Sequence, residues 1–326
     1  MTVIDFHNHF YPPSYLEEII SGPSRVKVTF DAQRNPLLHY PGDYNVVVRG
    51  HRDIEYRAEV LASAGVDMQV LTFTTPGTHV ESSPRAVELS RLVNDSLAEI
   101  VAERRDRFSA LATLPLNDPA ASAEELERAF GELGFRGAML HSNVNGVSLS
   151  DRSFWPLYEK ADDWKAVFYI HPSFPVGVEA MTEYWLMPLV GFPFDTTLAA
   201  AKLVFSGTVE RFPRIRWVLG HLGGAIPYLA ERLDRGYFAY KECREHIRRP
   251  PSECLKTFYY DTVNFDVGAL ELAVRFAGAR HLLAGSDYPH LIGSLEKMVS
   301  SIKSLGIPPE DKARILGGNA KELLSL

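Results

Sequence analysis

Short apolar runs alternate with amphipathic stretches along most of the chain. Eight of the runs read as strands: 2–9 (TVIDFHNH), 67–73 (DMQVLTF), 108–114 (FSALATL), 135–141 (FRGAMLH), 166–171 (AVFYIH), 215–221 (IRWVLGH), 258–263 (FYYDTV) and 281–287 (HLLAGSD). Most are nearly continuous in apolar residues, as parallel strands covered on both faces should be. The stretches 83–105, 118–133, 225–240 and 267–279 read as helices, and the tail 308–326 as two short ones. Asp118 followed by Pro119 is a helix start signal. Eight β-then-α units predict an α/β fold, a (β/α)8 TIM barrel with C-terminal helices. The alternative is a doubly wound open sheet. The stretch 22–52, rich in Gly, Pro, Arg and Tyr, reads as an insertion after strand 1 that sits over the barrel mouth. No low-complexity linker divides the chain, so one domain over 1–326 is expected.

Composition narrows the setting more than the chemistry. The chain has 326 residues, is 46% hydrophobic and 23% charged, and carries a net charge of −7. That balance argues against nucleic acid and anionic membrane as partners. The basic run 244–249 contains Glu245 and reads as a solvated helix end. Two cysteines, Cys243 and Cys254, fit no metal or redox spacing and exclude a disulfide framework, so a reducing cytoplasm is the expected home. Asp5, His7 and His9 interrupt the apolar run that a signal peptide would need. The richest apolar stretch, 196–209, contains Lys202 and is too short to span a bilayer.

The expected strand ends change the picture. A barrel collects its chemistry at the C-terminal ends of its strands. Here strand 1 ends in His7 and His9, strand 5 in His171, strand 6 in His221 and strand 8 in Asp287. Singly, each has a plain reading: an incidental His-x-His, a core histidine, a glycine-rich turn in "GHLGG", an N-cap in "GSDYP". Their conjunction on one rim outweighs those readings. Three or four nitrogen and oxygen ligands with an open position suit one catalytic divalent ion, most often Zn²⁺, with Mn²⁺, Co²⁺ or Fe²⁺ also accepted.

The motifs "DFHNHF", "YIHP", "RFPRIRWVLGHLGG", "GSDYPH" and "ILGGNAKELL" resemble the amidohydrolase superfamily over nearly the whole chain. The similarity is to the branch typified by aminocarboxymuconate-semialdehyde decarboxylase and γ-resorcylate decarboxylase. The resemblance implies that His7, His9, His171 and Asp287 bind a single metal and that His221 is catalytic, with Asp287 as the other candidate to move a proton. Many binuclear relatives carry a lysine on strand 4. This strand has none, which favours a mononuclear site; His141 stands at its end as a substrate contact, an extra ligand or a polar rim residue.

The implied reaction is metal-dependent, non-oxidative decarboxylation of a small aromatic or unsaturated carboxylic acid. The rivals are a lactonase-like hydrolase or a hydratase on the same site, and an inactive barrel serving as a binding module. Arg49 and Arg52 in the insertion are either a carboxylate clamp or solvated surface residues. Trp185, Phe192 and Phe194 either wall a flat substrate or pack ordinarily. Arg232 matches an arginine that in some relatives reaches into a partner's active site, which implies a homodimer; otherwise it pairs with Asp234 or Glu231 on the helix surface.

Overall fold

The computed structural model describes residues 2–326. All eight expected strands are present and shorter than the apolar runs: β1 (Ile4–Asp5), β2 (Met68–Leu71), β3 (Phe108–Ala110), β4 (Gly137–His141), β5 (Val167–His171), β6 (Arg216–Leu219), β7 (Tyr259–Asp261) and β8 (Leu282–Leu283). They form a three-stranded parallel sheet, β1-β2-β3, and a five-stranded one, β8-β7-β6-β5-β4. Backbone bonds join the two sheets at both seams. Met139 N donates to Ala112 O (2.9 Å) between β3 and β4, and Phe6 N donates to Ala284 O (2.7 Å) between β1 and β8. Single parallel bridges at Ala112–Ala138 and Asn8–Tyr288 lie on the same seams. The eight strands therefore run as one ring, and the open-sheet alternative falls.

A helix packs outside after each strand. They are α2 (Ile54–Ser63), α3 (Ser83–Glu103), α4 (Pro119–Gly131), α5 (Trp155–Asp163), α6 (Phe192–Phe205), α7 (Ile226–Ala239), α8 (Val267–Ala277) and α9 (Leu295–Ser304); α1 (Pro13–Ser21) belongs to the first connection. Asp118 caps α4 by accepting from Ala121 N (3.1 Å), with Pro119 in the first turn, as the start signal required. The tail forms short helices at Pro309–Ala313 and Asn319–Leu324.

Period-two alternation separates two cores. Val70, Leu111, Met139, Val167, Tyr169, Val218 and Leu283 fill the barrel interior, which Leu323 and Leu324 of the tail close from below. Phe168, Ile170, Trp217, Leu219 and Leu282 face the helices. On β4, Met139 is an inward residue, so His141 two positions on faces inward too. On β5, Val167 and Tyr169 direct His171 the same way. Gly137 opens β4 because a Cβ there would sit 1.9 Å from Val167 O of the neighbouring strand.

The stretch 22–52 is an ordered cover. It contains an antiparallel meander (Lys27–Phe30, Pro36–Tyr40, Asp43–Val46) followed by a helical turn, Arg49–Arg52. Asn45 ties the meander to the mouth by donating to Tyr11 Oη (2.8 Å) and to Thr75 O (2.7 Å).

Candidate metal centre and active site

The expectation of two imidazoles on one regular strand needs a correction. Pairing on β1 stops at Asp5, and Phe6 and His7, adjacent in sequence, both pack against Tyr169. The alternation therefore breaks there. The chain beyond is held by Asp287 N donating to His7 O (2.8 Å) and His9 N to Tyr288 O (2.8 Å), and His7 and His9 converge. Asp287 is reached four residues past β8, where it adopts φ 61°. His221 follows β6 after Gly220 and also has a positive φ, 52°. Backbone in this region disfavours a side chain and is retained where the surroundings fix it.

His7, His9, His171 and Asp287 are all buried, and one donor atom from each lies within 4.8 Å of the other three. His9 Nε2 is 3.2 Å from His7 Nε2 and 3.0 Å from Asp287 Oδ1, and His7 Nε2 is 3.3 Å from the same oxygen. Donors bound to one ion at about 2.0–2.2 Å are at most about 4.4 Å apart. The cluster is within a few tenths of an ångström of that spacing. Three imidazoles and a carboxylate form a donor set suited to one divalent ion. His171 Nδ1 bonds Pro172 O (2.9 Å), which fixes the ring with Nε2 free to ligate.

Asp261, at the end of β7, is the residue that the sequence reading passed over. Its Oδ2 accepts from His7 Nδ1 (2.6 Å), Tyr169 Oη (3.0 Å) and His221 N (3.1 Å). Its Oδ1 accepts from Leu222 N (3.1 Å) and Val263 N (2.9 Å). One buried carboxylate thus orients a ligand and anchors the His221 turn. The signal was available: an aspartate at the C-terminal end of a barrel strand.

Electrostatics follow from this geometry. Burial depresses His7, but the charge and hydrogen bond of Asp261, with Asp287, override it and lift its pKa to about 10. Burial, reinforced by neighbouring imidazoles, keeps His9 and His171 well below the ordinary histidine range, against the pull of Asp287. Asp287 is held well below the usual carboxylate range by hydrogen bonds from His7 and His9, which outweigh its burial. His221, its ring 4.9 Å from His7 and 5.4 Å from His171, is lowered to about 4 by burial and then by the His7 charge. Its Nδ1 has no partner among the described residues.

Beneath the cluster, Arg57 is fully buried, and neither its sequence position nor the helix pattern singled it out. It donates to Asn8 Oδ1 (2.9 Å), Gln69 Oε1 (2.8 Å), Gly50 O (2.8 Å) and His9 O. Gln69 in turn donates to Asp5 (2.6 Å), which also accepts from Ser286 Oγ (2.6 Å). This network fixes the backbone of residues 5–9 from below.

The remaining expected residues divide. Phe192 comes to the site, its ring 6.3 Å from His171 and 6.4 Å from His221. His141 is buried at the mouth, and burial lowers it to about 4. Trp185 and Phe194 are exposed, with Trp185 against Tyr44 of the cover. The structure does not bring Arg49 and Arg52 to the cluster. Arg49 pairs with Asp53 (2.8 Å) at an exposed position, and Arg52 reaches Asn35 (3.4 Å). Both line an open groove with Pro13, Glu17 and Ile20, because the helical turn carrying them points their side chains away from the mouth. Arg232 lies on α7 beside Arg235 and Phe238. Asp234, a partner considered for it, instead accepts from Ser252 N (2.9 Å) and Oγ (2.7 Å).

No helix among the described residues is long and apolar enough to cross a membrane. The family model described as amidohydrolase matches residues 4–326. A 2-amino-3-carboxymuconate-6-semialdehyde decarboxylase of Dictyostelium discoideum is 34% identical over 99% of this chain and 91% of its own length. A gamma-resorcylate decarboxylase of a Polaromonas species is 31% identical over 83% of this chain and 86% of its own. The crystal structure of a dihydroxybenzoic acid decarboxylase from Polaromonas, with bound manganese and the inhibitor 2-nitroresorcinol, superposes with a TM-score of 0.84 at 26% identity. It covers 100% of this chain and 97% of that one. The ring of eight strands, the four converging ligand groups and these matches lead to one conclusion: this chain belongs to the amidohydrolase family.

Proposed function

We propose that the chain is a metal-dependent, non-oxidative decarboxylase of a small aromatic or unsaturated carboxylic acid. The observation that carries the reading is the buried cluster of His7, His9, His171 and Asp287 with His221 beside it, in a chain similar over its length to named decarboxylases. The four residues hold one divalent ion. When bound, the ion supplies a Lewis acid that orients the carboxylate and stabilises developing negative charge.

The chain's own groups do the rest. The C–C bond to the carboxylate breaks, its electron pair stays on the substrate carbon, and a proton must reach that carbon. His221 is assigned that delivery on its position: its ring lies 4.9 Å from His7 and 5.4 Å from His171, and its Nδ1 has no partner among the described residues. Asp261 keeps His7 in one orientation through Nδ1. Phe192 packs over His171 and His221 and gives a flat substrate an apolar wall that excludes water.

Zinc is the proposed ion, because three imidazoles and one carboxylate satisfy it, with Mn²⁺ the alternative. A cytoplasmic homodimer is proposed. Tyr228, Phe238 and Tyr240 on or just after α7 are all more than 60% exposed and stand on the helix that carries Arg232. The test is metal analysis of the purified protein followed by a CO₂-release screen over hydroxybenzoates and aminocarboxymuconate-like acids. About one ion per chain and CO₂ from at least one acid are expected. Lactone hydrolysis with no CO₂ from any acid would hand the site to the hydrolase reading.

A further inference from the structure

Eight of the chain's eleven histidines lie around the mouth, and five of them stand outside the metal cluster; two of these, His79 and His141, pair with each other. His79, in the loop after β2, and His141, at the end of β4, stack at 4.5 Å between ring centroids and are 0% and 3% exposed. Both nitrogens of His79 and Nδ1 of His141 are buried with no partner among the described residues. A buried imidazole left unpaired costs free energy, so such atoms are expected to meet a polar group that the protein itself does not provide.

The surroundings keep the pair in place. Asn145 Nδ2 donates to His79 O (2.8 Å), and Phe174 lies 6.4 Å from the His79 ring. Gly77, at φ 76°, reserves the space against both rings: a Cβ there would lie 2.5 Å from His141 Nε2 and 2.6 Å from His79 Nδ1. His141 is the register partner of the ligand His171 on the adjacent strand, about 4.8 Å away across the sheet. A group bound by the pair is therefore within the span of a small molecule held at the metal.

Resting on the decarboxylase reading, we propose that His79 and His141 form a second polar subsite that binds a hydroxyl group of the substrate. Two neutral imidazoles can donate to an oxygen and accept from it, which matches a hydroxyl. A second carboxylate is disfavoured: Arg57 is the one fully buried arginine or lysine among the described residues, and it is committed to Asn8, Gln69 and backbone carbonyls. A buried anion without a cation is far costlier than a buried hydroxyl. Two imidazoles, each offering one ligand atom, are also too few to hold a metal ion of their own.

The probes are 2-hydroxybenzoate and the four dihydroxybenzoates that extend it by one ring hydroxyl, titrated by calorimetry into the metal-loaded protein. At least one dihydroxy acid should bind about 10–100-fold more tightly than 2-hydroxybenzoate, the range for satisfying buried polar groups. His79→Phe and His141→Phe should erase that preference while leaving metal content and 2-hydroxybenzoate affinity in place. His141→Gln, which keeps a donor and an acceptor, should restore part of it. Equal affinities for all five acids, no binding by any of them, or a preference that survives both Phe variants would overturn the subsite. CO₂ release reports separately. A hydroxyl preference lost in the variants without any turnover would keep the subsite and reject the reaction. Turnover without the preference would do the reverse.

Discussion

Two sides of the same barrel mouth are built on opposite terms. On the β1, β5, β7 and β8 side, most polar groups are braced, His9 Nδ1 excepted: Asp261 accepts five hydrogen bonds, His171 is fixed by Pro172 O, and Arg57 supports residues 8 and 9 from below. On the β2 and β4 side, His79 and His141 are buried and largely unbonded. Bracing sets the ligand atoms within a few tenths of an ångström of coordination geometry. Leaving polar atoms unbonded makes the other side's stability and affinity depend on what arrives there.

The contrast can be broken most completely at its braced side. His171→Ala should remove the ion and the activity together, read by metal analysis and turnover on the same preparation. Retention of a full equivalent of metal would refute its role as a ligand. His221→Ala comes next. It should keep the metal and lower kcat by about 10²–10⁴-fold, the usual worth of a positioned acid–base group; unchanged kcat would take His221 out of the mechanism.

Asp261→Asn tests the bracing itself. It keeps the shape but weakens the acceptor for His7, and metal affinity should fall about 10–100-fold in a chelator competition. A change below twofold would mean that the ligand needs no support. The smallest effect is a slope. In the metal-free protein His7 is protonated up to about pH 10, and an ion must displace that proton. Apparent metal affinity should therefore rise with pH, about tenfold per unit between pH 7 and 9, with one proton released per ion in a calorimetric buffer series. The linked stability runs the other way. A pKa raised from 6.5 to about 10 stabilises the metal-free fold fully below pH 6.5, and that contribution disappears as pH climbs towards 10. Metal affinity flat across this range would place the proton elsewhere.

Much of this molecule was legible without coordinates. Continuous apolar runs marked all eight strands because a parallel strand under helices must be apolar on both faces. The ligand residues were legible because the barrel gathers its strand ends onto one rim, so His7, His9, His171 and Asp287 needed only the correct strand assignment. Strand ends were less secure: Asp287 stands four residues beyond β8, since the apolar signal continues past the last ladder bond. Asp261 could be read in "FYYDTV" as a strand-end aspartate, but one carboxylate in an apolar run does not announce its partners. Whether Arg49 and Arg52 clamp a carboxylate or stand on the surface was left open, because sequence gives the insertion's position but not which way its last helical turn faces. The pairing of His79 with His141 lay beyond sequence altogether. The two are 62 positions apart in the chain, and only the circular order of the strands and a glycine in the loop that carries His79 bring the rings together. Local pattern thus determined the strands, the fold class and the ligand types, since these depend on burial and period. The orientation of the insertion, the bracing of His7 and the unpaired histidines were decided by tertiary structure, since each depends on which distant side chain fills the space opposite.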